Sequence, residues 1–534
     1  MNKIKEMVSK IQQNIKNTNK SVPLYKSLHK NMDYIKKTIN CDDLLGRDFT
    51  VGEKKQYKMA IFVIDGLTNG DYVYENILKT LTLEIRETTL DASIRTVKDF
   101  YNVIVEHVHF LIDTSEENTF DGLFDELLVG NTVLLFDGLD QALIIETRGW
   151  KDRGVTEPTA QTVVRGPKDS FNETLRTNTM LVRRRIKDKN LVVVNQKIGE
   201  RTKTDVDIMY LNGVADDDIV EEVKKRLENI KIDGILESGY IEQLIEDDPF
   251  SIFPTIHNTE RPDAAASAVL EGRVLIMIDG TPFVLIVPAV FSQFFQAAED
   301  YYHRFIVAST IRMIRYFAFA LGLLTPSFYI AITTFHQEMF PTPLLISVAA
   351  QREGIPFPAF IEALIMEVTF EILREAGIRM PRAVGSAVTV VGGLVIGQAA
   401  VEAGIVSGVM VIVVSLTAIS NLINPTYNSA NSVRFLRFVF MFLGATFGLY
   451  GISLGVYALI LHLCSLRSFG VPYMTPFAPI NMQQMKDAVV RFPLWSFFKR
   501  PTIITGDDTE RQKKPNKERP KKPKQNKNYR SVKR

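Results

Sequence analysis

The 534-residue chain carries 63 Lys and Arg against 61 Asp and Glu, a formal net charge of +2, and only two cysteines, Cys41 and Cys464. Two distant cysteines exclude a disulfide framework and a cysteine-built metal centre, and they fit a reducing compartment. The near-neutral total hides a split: from Lys499 onward fourteen basic residues stand against four acidic ones, +10, which leaves −8 on residues 1–498.

Residues 1–55 read as a polar, Lys- and Asn-rich lead with short helices at Ile4–Thr18 and Val22–Ile39. The lead has no apolar stretch of signal-peptide length, so the first half of the chain is expected in the cytosol. From Lys58 the pattern is αβ. Met59–Ile64 is a strand ending in Asp65-Gly66, a helix follows from about Asp71, and Asn131–Phe136 with Ala142–Thr147 form a hairpin about Asp137-Gly138. His107 and His109 stand two apart, a spacing more often structural than metal-binding.

The plan recurs about 145 residues later. IFVIDGLTNGD (Ile61–Asp71) matches IMYLNGVADDD (Ile208–Asp218), and LLFDGLDQALII (Leu134–Ile145) matches LIMIDGTPFVLIV (Leu275–Val287). Two matched pairs in the same order predict a duplicated αβ unit, residues 56–150 and 203–290. Between them, 151–202 is expected to connect the units and to carry a basic helix. Its Arg183, Arg184 and Arg185 suit either a grip on phosphate or carboxylate, or a contact with a neighbouring subunit. In Pro254–Arg273, Thr259, Glu260 and Asp263 occupy N-cap and first-turn positions, with Pro262 at the start of a helix. Val284–Ala297 is too short to span a bilayer and reads as interfacial or re-entrant, with Phe291, Phe294, Phe295, Tyr301 and Tyr302 as anchors.

Residues 291–495 are expected to form a membrane domain around an apolar block from about Met313 to Leu466. Tyr316–Phe335 runs twenty residues without a charge and Ala383–Val401 nineteen, while Phe438–Leu466 runs twenty-nine with only His462 interrupting. About twenty apolar helical residues cross a ~30 Å hydrocarbon core, so the block predicts an all-α polytopic membrane domain. Pro326 should kink the first span, Met339–Ala350 is short enough to be re-entrant, and Gly451 could split the last run. Basic residues stay on the cytosolic side, which places Arg374, Arg379, Arg382, Arg434, Arg437 and the tail there. Both ends inside require an even number of crossings, six if the last run splits and four if the acid-bearing segment and a neighbour are re-entrant.

Within Pro356–Leu373 stand Glu362, Glu367 and Glu371. Charge at membrane depth is costly unless paired or wet, so these acids are candidate pore-lining groups. The competing reading seats Glu371 at the headgroups and pairs Glu362 with a base such as Arg315. Small residues four apart at Gly393/Gly397, Gly404/Gly408, Gly444/Gly448 and Gly451/Gly455 are candidate helix-packing sites. No HExxH, P-loop, GxSxG or Cys/His constellation occurs, so neither enzyme chemistry nor a cofactor is expected. Residues 496–534 read as a disordered basic tail able to bind anionic headgroups, with no sign of nucleic-acid binding.

Several longer motifs stand out: Glu146-Thr147-Arg148-Gly149, Arg165-Gly166-Pro167-Lys168-Asp169, Thr259-Glu260-Arg261-Pro262-Asp263, Leu270-Glu271-Gly272-Arg273, Asp279-Gly280-Thr281-Pro282 and Glu299-Asp300-Tyr301-Tyr302. On these, residues 50–495 resemble the A subunit of GerA-type spore germination receptors, including the SpoVAF relatives. The resemblance implies a multi-pass protein of the spore inner membrane with a two-part cytosolic domain. It also implies a transporter-like B subunit and a lipoprotein C subunit as partners, and self-assembly, as a pentamer, into a nutrient-gated monovalent cation channel. A membrane-anchored signalling scaffold without a pore is the alternative. A secondary transporter would place repeats in the membrane block, whereas here the repeat lies in the other half.

Overall fold

The computed structural model describes residues 22–52, 57–79, 81, 96–109, 113–149, 157–380, 392–393 and 395–512. The helix expected at Ile4–Thr18 lies outside them.

Two five-stranded antiparallel sheets come first. One joins β1 (Leu44–Val51), β2 (Tyr57–Ile64), β3 (Thr114–Glu117), β4 (Thr132–Phe136) and β5 (Ala142–Ile145) in the order β1-β2-β4-β5-β3. The other joins β6 (Leu191–Ile198), β7 (Thr204–Leu211), β8 (His257–Thr259), β9 (Val274–Ile278) and β10 (Val284–Val287) in the matching order β6-β7-β9-β10-β8. The helices repeat too. α1 (Leu28–Thr38), α2 (Val97–His109) and α3 (Phe120–Leu127) accompany the first sheet. α4 (Leu175–Arg183), α5 (Asp217–Glu228), α6 (Ser238–Ile245) and α7 (Pro262–Leu270) accompany the second.

The duplication therefore begins earlier than the turn dipeptides suggest. α1 and β1 fall in the stretch read as a polar lead, and α4 and β6 in the stretch read as a connector. Matching contacts fix the equivalence. Leu28 N donates to Asp137 Oδ1 and Leu175 N to Asp279 Oδ1, each at 3.1 Å. Asn31 Nδ2 donates to Tyr25 O and Asn178 Nδ2 to Asn172 O, each at 2.6 Å. Each Asp-Gly turn thus holds the first helix of its own unit.

Alternation along the strands decides how the sheets pack. Ala60, Phe62 and Ile64 of β2, with Val133 and Leu135 of β4, face the same core as Val193, Met209, Leu275 and Met277 of the second sheet. Side chains of α1, α3, α4 and α7 fill that shared core. The intervening residues point the other way. Met59, Ile61, Leu134 and Phe136 meet α2, while Val206, Ile208, Ile276 and Ile278 meet α5 and α6. A period of two places successive residues on opposite faces, and covering both faces explains why β4, β5, β9 and β10 are buried throughout.

The helical region follows: α8 (Phe305–Phe335), α9 (Thr342–Arg352), α10 (Ala359–Arg379), a helical stretch at 395–402, α11 (Gly408–Leu422) and α12 (Tyr427–Ser465). By length and composition α8 and α12 are apolar enough to cross a membrane, and α11 is a shorter apolar helix. α8 runs through Pro326. α12 is a hairpin. Gly448 has φ 61° and ψ −144°, backbone that a residue with a Cβ rarely adopts. Ser432 Oγ donates to Ile252 O at 2.6 Å while His462 Nε2 lies 3.1 Å from Ser251 Oγ. In a straight helix those two residues would stand about 45 Å apart. The break is thus at Gly448 rather than Gly451, which instead gives room for the Leu443 carbonyl.

Two further expectations change. Val284–Val287 is the inner strand β10, and Phe294 and Phe295 are buried, so that segment is a joint between the sheets and α8. Residues 496–512, expected to belong to a disordered tail, are instead placed against the rest of the chain. Gly506 N donates to Val214 O, Arg500 Nε to Leu270 O, and Arg511 pairs with Glu271, strapping 499–512 across the second unit. The remaining basic residues, from 513, lie outside the described residues.

Candidate functional site

Four ion-paired layers run up the helical region from the joint. The lowest is a clasp at the start of α8. Arg312 and Arg315 stand one turn apart, so both reach back to Asp300, which is buried. Arg312 Nε and Nη2 meet Asp300 Oδ2 at 3.2 and 3.1 Å, and Arg315 Nη1 meets Oδ1 and Oδ2 at 2.9 and 2.8 Å. Arg312 Nη1 also donates to Asp487 Oδ1 at 2.9 Å, and Tyr301 Oη to Asp487 Oδ2 at 2.7 Å. Tyr302 Oη donates to Asp263 Oδ2, which also accepts from Arg261. The Glu299–Tyr302 motif therefore ties α8, the segment around Asp487 and the start of α7 together. Arg315 belongs to this clasp and is not the partner of Glu362.

The upper layers hold the three candidate acids of α10. Glu371 pairs with Arg434, whose Nε lies 3.0 Å from Oε1. Glu367 is fully buried and pairs with Arg437. Glu362, also fully buried, accepts from the Ser407 backbone N at 2.6 Å and from its hydroxyl, with Arg352 Nε 3.9 Å away. So none of the acids stands free within one chain. Arg437 is not a marker of an aqueous edge either: it is buried and spent on Glu367. Capacity remains, because Glu367 Oε1, Glu362 Oε2 and Arg437 Nε and Nη2 have no hydrogen-bond partner among the described residues.

The small residues divide by role. A Cβ on Gly444 would lie 2.8 Å from Ser327 O of α8, and one on Gly448 2.8 Å from His336 Cε1, so both allow close approach inside the chain. Gly393 lies near Leu373, Gly397 near Val411 and Gly408 near Gln351. Gly404, at φ 65°, makes the turn between 395–402 and α11.

Of the basic cluster, Arg183 is buried against Asp43 of the first unit, its Nη2 2.8 Å from Asp43 Oδ1. Arg185 pairs with Asp169, and Arg184 is exposed. The arginine that looked available is thus the ion pair between the two αβ units. His107 and His109 both lie on helix α2.

The family model described as Bacillus/Clostridium GerA spore germination protein matches residues 33–503. Spore germination protein KA of Bacillus subtilis is 49% identical over 91% of this chain and 88% of its own length. A B. subtilis protein described as an uncharacterized membrane protein, YfkQ, is 42% identical over 90% and 92%. Spore germination protein GerLA of Bacillus cereus is 38% identical over 85% and 91%. The crystallised N-terminal domain of the A subunit of the Bacillus megaterium spore germinant receptor GerK3 is 36% identical, covering 51% of this chain and 99% of that one at a TM-score of 0.42. With the match extending from α1 through the hairpin of α12 to the C-terminal strap, the chain belongs to the GerA family of spore germination proteins.

Proposed function

We propose that this chain is the A subunit of a nutrient germinant receptor in the spore inner membrane, and that copies of it assemble into a nutrient-gated channel for monovalent cations. Transporter-like B and lipoprotein C subunits would complete the receptor, and anionic headgroups would take the basic tail. The reading puts α8 and both arms of α12 across the bilayer, with the sheets on the cytosolic side and an even number of crossings. The observation that carries it is the ladder Glu362, Glu367, Glu371. Buried carboxylates in an apolar helical region are tolerated only if paired or hydrated, and these keep unspent acceptor and donor atoms beside their arginines. In an assembly, water along a shared axis would meet those atoms, and the pairs would act as latches that part when the path opens.

A non-conducting scaffold is favoured by one fact: every acid of the ladder already has its partner within the chain. Imaging of the assembled receptor tests the choice. A water-filled path beside α10 supports the channel, whereas dry helices packed across the axis support the scaffold.

A further inference from the structure

α8 carries charge only at Arg312 and Arg315, and both turn inward to Asp300. Its outward face is therefore uncharged from the first turn, where Phe305, Ile306, Val307, Met313, Ile314 and Phe317 are exposed. The uncharged run in the sequence begins only at Tyr316, because a charge count does not distinguish an inward arginine from an outward one. Measured along its exposed face, the helix stays free of charge over all 31 residues, about 46 Å. That exceeds the ~30 Å hydrocarbon core and comes close to a bilayer counted with its headgroups, ~40–45 Å. The first turns of α8 accordingly belong in an interfacial layer.

Residues 477–495 lie beside those turns. The Phe477 ring is 6.4 Å from that of Tyr316, Arg312 Nη1 donates to Asp487 Oδ1 at 2.9 Å, and Arg491 N donates to Ser309 Oγ at 3.1 Å. The segment thus steps down α8 from Tyr316 towards Phe305. It leaves Ile480 77%, Met482 79% and Trp495 66% exposed, and Phe492 exposed as well. Apolar groups concentrated in this way mark a surface that something covers. Charge identifies the cover. Gln512 Nε2 donates to Leu494 O at 2.9 Å, so residues 513–534, with eleven Lys and Arg against one Glu, begin beside Trp495. Exposed aromatic and apolar side chains next to a dense basic run suit an anionic lipid surface. A symmetric contact with a second copy would instead bring two such basic runs together.

We propose that residues 480–495 form an interfacial anchor, with Ile480, Met482, Phe492 and Trp495 in the headgroup layer of a bilayer at the level of Phe305 and Ile306. The anchor rests on α8 crossing that bilayer, as proposed above, and holds whether or not the chain conducts ions. The clasp about Asp300 then lies at the membrane surface, where it fixes the height of the sheets.

Trp150 and Trp495 are the two tryptophans of the chain. Trp150→Phe leaves Trp495 as the single fluorophore of the full-length chain in phosphatidylcholine–phosphatidylglycerol vesicles. Lipid brominated near its carbonyl end should quench Trp495 by about half, and lipid brominated near its methyl end should quench it less. Aqueous acrylamide should quench it less than free tryptophan. Phe317→Trp in the Trp150→Phe/Trp495→Phe background reports on α8 itself, and there the deeper bromines should quench more. Quenching of that reporter without quenching of Trp495 would overturn the anchor and leave the spanning helix standing, whereas quenching of neither would overturn both. A Trp495 shielded from bromines and acrylamide alike, as against a second copy, would also overturn the anchor. If Trp150→Phe does not fold, a photoactivatable phosphatidylcholine on the unsubstituted chain decides it. Cross-links mapped to 480–495 support the anchor, and cross-links confined to the helices contradict it.

Discussion

Arg183 of the second αβ unit and Asp43 of the first form a buried ion pair 140 residues apart in sequence, with Arg183 Nη2 2.8 Å from Asp43 Oδ1. Removing one partner leaves a charge with no water to solvate it. Arg183→Ala or Asp43→Ala should therefore cost about 3–5 kcal/mol, while the double variant Asp43→Leu/Arg183→Met should lie close to the parent. Thermal melts of the four proteins check this through the coupling between the two sites.

Cys41 sits beside that pair, its Sγ 3.2 Å from Leu191 O. Burial holds its thiol above the ordinary range, with Arg183 opposing and Asp43 adding to the rise. The folded chain should therefore alkylate slowly at Cys41 at pH 8. The exposed Cys464 gives the comparison in a detergent preparation. Mass spectrometry of timed iodoacetamide labelling reads both.

Two groups near β8 titrate with opposite signs. Glu242 is raised to about 7, chiefly by burial and then by Glu246 and Glu237, whereas His257 is lowered to about 3 by burial and by Arg273. The Glu242 contribution is fully present below the unfolded value near 4.5 and is lost as pH rises through about 7, a change of at most about 3 kcal/mol. For His257 the folded chain takes up its proton less readily than the unfolded one, so its contribution is lost as pH falls from 6.5 towards 3. Between about pH 4.5 and 6.5 the two slopes oppose. Glu242→Gln should make stability rise with pH across that window, and His257→Asn should make it fall. Denaturation midpoints across that range test both signs.

Gly448 and the far end of α8 are held in contact, with His336 Cε1 2.8 Å from where a Cβ would stand. Gly448→Ala adds that clash to a backbone at φ 61°, a strain of order 1–3 kcal/mol. The variant should accumulate poorly in the membrane fraction and lose germination activity. Gly470→Ala is a useful control, since that glycine also has a positive φ, 82°, but no neighbour within 4 Å. Immunoblots of the two variants separate crowding from backbone strain.

Turn chemistry made the repeat visible from sequence. Asp137-Gly138 and Asp279-Gly280 mark matching hairpins because a positive φ at glycine is a local requirement. β1 was harder to see, since Arg47 and Asp48 break its apolar pattern and its side chains are only partly buried. A better signal was available in Leu28-His29-Lys30-Asn31 and Leu175-Arg176-Thr177-Asn178, where leucine starts the helix and asparagine folds back on the preceding loop. At the ladder, composition exposed the three acids but not their partners. Arg434 and Arg437 read as aqueous-side charges because the charge rule treats each arginine alone, and pairing with another helix is a tertiary fact. Arg183 misled in the same way: three consecutive arginines resemble a solvated face until Asp43 arrives from the other unit.

Ion flux tests the central proposal most directly. The complete receptor would be reconstituted in sealed liposomes loaded with potassium and challenged with its nutrient, using the parent chain and Glu367→Gln. The account predicts nutrient-dependent potassium release that requires this chain and changes in rate at least several-fold in the variant. Vesicles that stay sealed to potassium while the receptor still binds nutrient would contradict it.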